Sequence, residues 1–466
     1  MLSATGGELM TGPGEGRFAS VATDSRESGG DDVFVALRGR RFDAHDFAAD
    51  VVGRGGRCVV IDGEKAGDLP LRQWHEQRVN CIAVADTISA LGALAAYNRK
   101  RAGVAVIAIT GSNGKTTTKE MAAAICRRRF STLATPGNLN NEIGLPLTLL
   151  QLEPTHEVAV LELGMNQPGE IGRLSAICRP DIGVITNIGP AHLAGLGDLK
   201  AVATAKSELL ENIKSEGSTV LNADDPYVLA LQAKATTRTV LFGTQNPAQI
   251  RAGRIRQENG TIGFELILPD SSIAITLHVY GGFMTYNALA AASAAHLLGI
   301  GPEKVKTGLE SFSAVKGRMA IYETVRGAYL IDDTYNANPG SMAAAISTLA
   351  GLTGKKRGIL VAGDMLELGD AAARHHEEIG EIAARQGITR LYLTGEFASR
   401  VAQGARAGGM AGNNIFVGTR DDIVKDLASR LEAGDWILVK GSRSTGMEEI
   451  VARLRTGETP AEKVSH

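Results

Sequence analysis

Val106-Ile107-Ala108-Ile109-Thr110-Gly111-Ser112-Asn113-Gly114-Lys115-Thr116-Thr117-Thr118-Lys119-Glu120 decides the fold class of this chain. The β-branched run into Gly111 reads as a buried strand entering a tight turn. Gly111 and Gly114 let the backbone fold back with its N–H groups turned inward, and a helix from about Thr116 adds its positive end. Ser112, Asn113 and Thr117 complete the loop, Lys115 can reach β/γ-phosphates and the Thr116 hydroxyl can hold Mg²⁺. Only two residues separate Gly111 from Gly114, so this is not the strict GxxxxGK[ST] form. An ordinary strand-to-helix turn is the competing reading. Lys followed by three threonines at a helix start is, however, a poor choice for stability alone, because β-branched residues weaken helices.

A chain of 466 residues is long enough for roughly two to four domains. Lys and Arg number 49 against 51 Asp and Glu, and the net charge of −2 argues against bulk binding to nucleic acid or an acidic membrane surface. Its 56 glycines punctuate the whole length without a repeat, as many strand-to-helix turns require. Cys58, Cys81, Cys126 and Cys178 stand singly with no CxxC pair, which predicts reduced core residues in a cytoplasmic protein. No signal-like N-terminus and no apolar run approaching about 18 residues is present, so neither secretion nor stable membrane insertion is expected.

Working outward from the loop, residues 1–101 read as a small α/β domain. Its strands are Val33–Leu37, Cys58–Ile61 and Asn80–Val84, and a helix follows from Thr87, near its cap, to Arg101. Residues 102–314 alternate strands and helices, the pattern of a mostly parallel sheet covered on both faces. Here Val158–Leu163 carries Glu162 at its end and Asp181–Asn187 leads to His192. A helix holding Lys206 and Glu208 follows, and Thr261–Leu268 with Ile273–Val279 forms a β-rich excursion. An alanine-rich helix spans Asn287–Leu298. Residues 315–456 alternate again, with strands ending at Asp332-Asp333, Val361, Leu393 and Val439, and a polar tail fills 457–466.

Each polar position admits a plainer reading. Glu162 is either a carboxylate emerging where doubly wound sheets place ligands or a solvated strand-end charge. His192 is a metal ligand or a loop histidine, and Lys206 a functional or a solvated helix lysine. Asp332 and Asp333, before Tyr335-Asn336-Ala337-Asn338-Pro339, mark a second reacting surface or a turn.

The motifs together resemble the Mur ligases over nearly the full length, and within them the branch that adds D-alanyl-D-alanine to UDP-N-acetylmuramoyl-tripeptide in peptidoglycan synthesis. The resemblance rests on Thr23-Asp24-Ser25-Arg26, the central loop, Thr135-Pro136-Gly137-Asn138-Leu139-Asn140-Asn141, Glu162-Leu163-Gly164-Met165 and Asn187–Leu193. It continues in Asp332–Pro339, Gly363-Asp364-Met365-Leu366-Glu367-Leu368-Gly369 and Lys440-Gly441-Ser442-Arg443. It implies an α/β, three-domain ligase: an N-terminal UDP-sugar domain, a central P-loop ATP-binding parallel-sheet domain and a C-terminal Rossmann-like domain, acting as a monomer.

By the same resemblance, Lys115 stabilises the transferred phosphate, and Thr116 and Glu162 hold one Mg²⁺. His192 serves a second metal position, and Lys206 matches a lysine that several relatives carbamoylate. Asn287, Arg318 and Asp333 face ATP, with Asp333 also on the catalytic surface. Ser25, Arg26, Asn138, Asn141, Tyr335, Asn336 and Asn338 contact the substrates. The implied reaction joins the tripeptide carboxylate to the dipeptide amine through an acyl phosphate. Another Mur ligase, a folylpolyglutamate synthase and a non-condensing nucleotide switch are the rivals. Ala44 departs from the family's usual Gly, which shifts that loop if the position needs positive φ.

Overall fold

The computed structural model describes residues 1–39, 41–258 and 260–457. Three sheets organise them, and each is the core of one α/β domain. In the first, strands run in the order Glu8–Thr11, Asn80–Val84, Cys58–Asp62, Asp32–Val35 and Ser20–Ala22, parallel except for the first pair. The three strands expected from sequence are present. The two outer ones escaped notice because they are short, half-exposed and lack an apolar run.

The helix Thr87–Ala102 has its cap beside Thr87, as expected. Asp86 is extended and its carboxylate accepts from the Ser89 N–H, while Thr87 is the first helical residue and buried. This helix ties two domains together. Ala90, Leu91 and Leu94 pack on the N-terminal sheet, whereas Arg99 donates to the Cys178 and Arg179 carbonyls and pairs with Asp181 of the central domain. Ala44 lies in a short 3₁₀ turn outside the positive-φ region, so the Gly-to-Ala departure introduces no strain there.

The central sheet has nine strands. Thr132–Ala134, Val158–Glu162, Ala105–Thr110, Ile182–Ile185, Ser218–Asn222 and Arg238–Gly243 are neighbours in that order and all parallel. The β-rich excursion is an antiparallel meander, Ile250–Glu258, Thr261–Leu268 and Ser271–Leu277, which extends the same sheet rather than forming a separate unit. Its alternating burial puts Ile262, Phe264, Leu266 and Leu268 into the central core. The alanine-rich helix, Phe283–Leu297, is buried almost throughout, and its small side chains let it lie close on the loop's own helix Lys115–Cys126.

The C-terminal sheet orders Ala320–Glu323, Tyr329–Asp333, Trp436–Lys440, Gly358–Ala362, Arg390–Leu393 and Ile415–Val417, parallel after its first antiparallel pair. One buried apolar cluster continues from Ile107, Met121 and Ala291 of the central domain to Met319, Ile331 and Met342 of the C-terminal one. The tail beyond Gly457 lies outside the described residues.

Candidate active site

Strand register builds the site. Ala105–Thr110 sits between Val158–Glu162 and Ile182–Ile185, with Ile109 opposite Glu162 and Thr110 opposite Ile185. The loop after Thr110 and the Glu162 carboxylate therefore emerge side by side at the strands' C-terminal edge, where open α/β sheets bind ligands. Both loop glycines are sterically required. A Cβ on Gly111 (φ 148°) would lie 1.9 Å from Thr186 Oγ1, and one on Gly114 (φ 80°) would lie 2.2 Å from Asn287 Oδ1. Asn187 fixes the crest between them, accepting from the Asn113 N–H at 2.8 Å and donating to the Asn113 carbonyl at 2.9 Å. Ser112 is latched to Gly189 by reciprocal bonds of 2.9 and 3.1 Å.

Lys115 opens the helix and curls over the loop, Nζ donating to Gly111 O at 2.8 Å and Ser112 O at 3.3 Å. Burial pulls its ammonium below the usual lysine range; Glu162 opposes that shift and Arg318 adds to it. Glu162 is 1% exposed, which removes the solvated strand-end reading. It accepts from Thr116 Oγ1 at 2.7 Å and from Asn140 Nδ2 at 2.8 Å. Thr117 is buried beside them.

The second wall comes from the C-terminal domain. Asp333 and Lys440 are register partners at the end of adjacent strands, and Lys440 Nζ donates to Asp333 Oδ2 at 2.6 Å and to the Asn336 carbonyl at 2.8 Å. Lys440 is 2% exposed, so the pair is a buried clamp on the turn that carries Tyr335 and Asn336. Arg318 lies over the Tyr335 ring at 4.0 Å and donates to Thr116 Oγ1 at 2.7 Å, crossing between domains. Asn338 caps the helix Pro339–Thr353 with its Oδ1 and donates from Nδ2 to Asn113 Oδ1 at 2.8 Å.

These walls enclose a cleft of about 980 Å³. Of the residues singled out from sequence, Ser112 through Thr117, Asn138, Asn141, Glu162, His192, Asn287, Arg318, Asp333, Tyr335, Asn336 and Asn338 line it. Asn141 Oδ1 also accepts from the Gly144 N–H at 2.8 Å, and Asn287 supports Gly114 from behind. Lys206 is not among the cleft-lining residues and is buried, 1% exposed. Burial, then the charge of Lys115, holds its pKa well below the usual lysine value. His192 turns its Nδ1 to Glu367 at 2.6 Å. Ser25 and Arg26 lie apart from this cleft, and Arg26 is exposed and paired with Asp24 at 2.5 Å.

Three groups carried no assigned role in the sequence. Lys440 ends an apolar strand, the signature that drew attention to Glu162 and Asp333. Asn140 and Glu367 sit inside the quoted motifs, but their partners are distant in sequence, so spacing gave no signal.

The donor set suits Mg²⁺ with a polyphosphate. No three His, Cys, Asp or Glu side chains converge as a metal cage among the described residues. One buried carboxylate beside a hydroxyl and a cradle closed to any Cβ is the sparse protein contribution that Mg²⁺ uses when phosphates and waters supply the rest. The four cysteines are buried, and burial pushes each thiol up to about 12, so none is an available nucleophile.

A phosphate loop facing a second, Rossmann-like domain across a shared cleft defines an ATP-using enzyme that assembles its site from two domains. Residues 109–295 match the Mur ligase middle domain and residues 317–443 the Mur ligase, glutamate ligase domain. The chain is 37% identical to the Escherichia coli K12 UDP-N-acetylmuramoyl-tripeptide--D-alanyl-D-alanine ligase over 94% of each. It superimposes on the MurF crystal structure from Acinetobacter baumannii with TM-score 0.88 and 34% identity, covering 98% of this chain and 97% of the other. With Thermotoga maritima MurF ligase in complex with ADP the TM-score is 0.83 at 28% identity, covering 94% and 97%. The chain belongs to the Mur ligase family, and with it to the ATP- and Mg²⁺-dependent ligases.

Proposed function

We propose that the protein joins D-alanyl-D-alanine to UDP-N-acetylmuramoyl-tripeptide, forming UDP-N-acetylmuramoyl-pentapeptide, ADP and phosphate in peptidoglycan synthesis. The observation that carries this reading is full-length similarity to ligases of that name, combined with a cleft whose phosphate wall and second-domain wall are already in hydrogen-bond contact. The tripeptide carboxylate attacks the ATP γ-phosphorus, the bond to ADP breaks, and an acyl phosphate results. The dipeptide amine then adds to the acyl carbon, loses a proton, and phosphate departs.

Each residue's part follows from its setting. The loop N–H groups and Lys115 stabilise charge on the transferring phosphoryl group, and an arriving polyanion restores the ammonium that burial disfavours. Thr116 and Glu162 would hold Mg²⁺, with His192 at a second position, and such an ion would supply charge neutralisation for the phosphates. Arg318, fixed on Tyr335, brings a further cation from the C-terminal side. Asp333 and Lys440 shape the turn that presents Tyr335 and Asn336 to nucleotide and incoming amine. Asn138 and Asn141 line the acceptor side, Asn287 underpins the nucleotide loop, and Ser25 and Arg26 serve the more distant UDP end.

Lys206 is the candidate for carbamoylation. Its buried amine is biased to the neutral form that adds CO₂, and the resulting anion would face Lys115 as an attraction instead of a repulsion. Lys206→Ala should lose activity and recover part of it with a small carboxylate in solution; full activity of the parent in bicarbonate-depleted buffer, with a plain ammonium in a high-resolution structure, would end this idea. The domain divisions belong to the same reading: UDP-sugar binding in 1–101, ATP binding in 102–314 and ligase closure in 315–456. Cytoplasmic action fits four unpaired buried cysteines, and monomeric action is part of the same reading.

Incubation with ATP, Mg²⁺, UDP-MurNAc-tripeptide and D-alanyl-D-alanine tests the function. Pentapeptide whose formation depends on the dipeptide is expected; ATP hydrolysis without it would contradict the assignment. Running lysine- and diaminopimelate-containing tripeptides in parallel identifies the accepted stem.

A further inference from the structure

The contact between His192 and Glu367 spans two domains and is doubly anchored. His192 Nδ1 meets Glu367 Oε2 at 2.6 Å, and the Ala194 N–H donates to the Glu367 carbonyl at 2.9 Å. Both residues hold left-handed backbone, φ 58° for His192 and φ 63° for Glu367, among only six described non-glycine residues that do. Such conformations persist where the surroundings over-determine them. Around Glu367 they do. Met365 and Leu368 are buried on either side. The Met365 N–H donates to buried His376 Nε2 at 2.9 Å, and the Leu366 N–H to Ser442 Oγ at 2.8 Å. The loop is thus rigidly tied to the C-terminal domain while its outermost carboxylate reaches the central one.

The chemistry of the pair is directional. An ionised carboxylate only accepts, so the proton of the imidazole resides on Nδ1 and the lone pair on Nε2. A histidine whose Nδ1–H is held by a carboxylate is fixed in ring orientation and made a better donor at Nε2. His192 lines the cleft, on the side where the loop crest Ser112–Gly189 lies.

We propose that Glu367 is a positioning residue, delivered by the C-terminal domain, that orients His192 for its metal and thereby makes the second metal position depend on domain closure. This rests on the reading of His192 as a metal-position residue. Its consequence is a safeguard: with the domains apart, His192 has no fixed ring orientation, so the full set of phosphate-binding groups forms only when the amine-bearing wall is in place.

The test is Mn²⁺ binding, followed by the electron paramagnetic resonance signal of free Mn²⁺, with a non-hydrolysable ATP analogue and UDP-MurNAc-tripeptide present. The parent should show a tighter and a weaker class of ion. Glu367→Ala should raise the dissociation constant of the weaker class about tenfold or more, the usual cost of losing an outer-shell partner, and leave the tighter class unchanged. Glu367→Gln, whose amide oxygen still accepts from Nδ1–H, should stay near the parent. His192→Ala should weaken the same class. If Glu367→Ala superimposes on the parent while His192→Ala shifts, Glu367 is no positioning residue. If Glu367→Gln is as weak as Glu367→Ala, orientation by the hydrogen bond is not the cause. If His192→Ala also superimposes, the metal reading of His192 falls, and this proposal with it.

Discussion

The loop Gly111–Thr117 and the loop Gly363–Gly369 both follow parallel strands, the first lining the cleft and the second reaching the cleft residue His192, yet they are completed in different ways. The first has its shape fixed inside its own domain, with Asn187 and Thr186 holding its crest and Glu162 with Asn140 holding Thr116, and it only gains further bonds from across the boundary. The second is pinned at its base by His376 and Ser442, but its tip finds partners only across the domain boundary, at His192 and Ala194. Arg318 and Asn338 follow the second pattern. The difference teaches that nucleotide recognition is prebuilt by one domain, whereas completion of the reacting site is conditional on the other. A modest inter-domain contact that can open and reform is what such a division needs.

Lys115→Ala should produce the largest effect. It removes the charge aimed at the transferred phosphate, and loss of one such donor costs about 100-fold or more in rate. The variant should fold normally, and stopped-flow measurement of acyl phosphate formation should show the loss; near-normal turnover at saturating ATP would break the prebuilt half of the comparison. Arg318→Ala comes next. Removing one charge-assisted bond of about 1.5–3 kcal/mol predicts roughly a ten- to hundredfold fall in kcat. Affinity for ATP alone should change little if the domain arrives after the nucleotide, and equal losses in both would make Arg318 an ordinary nucleotide contact. Glu162→Ala should shift the Mg²⁺ titration as well as the rate, and a titration matching the parent would assign Glu162 to support of Thr116 only.

The smallest effect concerns the conditional loop. Burial keeps His376 below the ordinary histidine pKa, with Asp364 at 4.0 Å opposing the shift. Below about 6.5 the unfolded chain takes up a proton that folded His376 refuses, so stability falls with pH through 6.5 toward the lowered folded value. His376→Gln, which keeps an acceptor for the Met365 N–H, should flatten that slope in urea unfolding followed between pH 8 and 5.5. An unchanged slope would show that His376 does not govern the acid response of this domain.

The prebuilt half was legible in the sequence because its physics is local. A β-branched run, two glycines in tight contact and a lysine at a helix start leave adjacent marks, and Glu162 ends an apolar strand. Strands built on long apolar runs, such as Cys58–Asp62, Val158–Glu162 and Trp436–Lys440, were legible for the same reason, whereas Ser20–Ala22 and Ile415–Val417 are too short to leave a pattern and the buried interior strand Ser218–Asn222 was missed because polar residues start and end it. The helix start was legible too, since two residues of capping type, Asp86 and Thr87, stand in succession there. The conditional half was not legible. Asn338 serves as a helix cap and reaches Asn113 from the other domain, Glu367 meets a histidine 175 residues away, and Lys206 looks like a solvated helix lysine until tertiary packing buries it. Pairings of that separation have no period to read.

The central claim is that the cleft activates a carboxylate by phosphorylation and hands it to an amine. It is tested most directly by labelling both oxygens of the tripeptide's terminal carboxylate with ¹⁸O and analysing the released phosphate by mass spectrometry after one turnover. Attack of that carboxylate on the γ-phosphorus predicts phosphate carrying one ¹⁸O, with the other retained in the new amide carbonyl. Phosphate free of label, alongside pentapeptide formed at the normal rate, would contradict the acyl phosphate route and the roles assigned to both walls of the cleft.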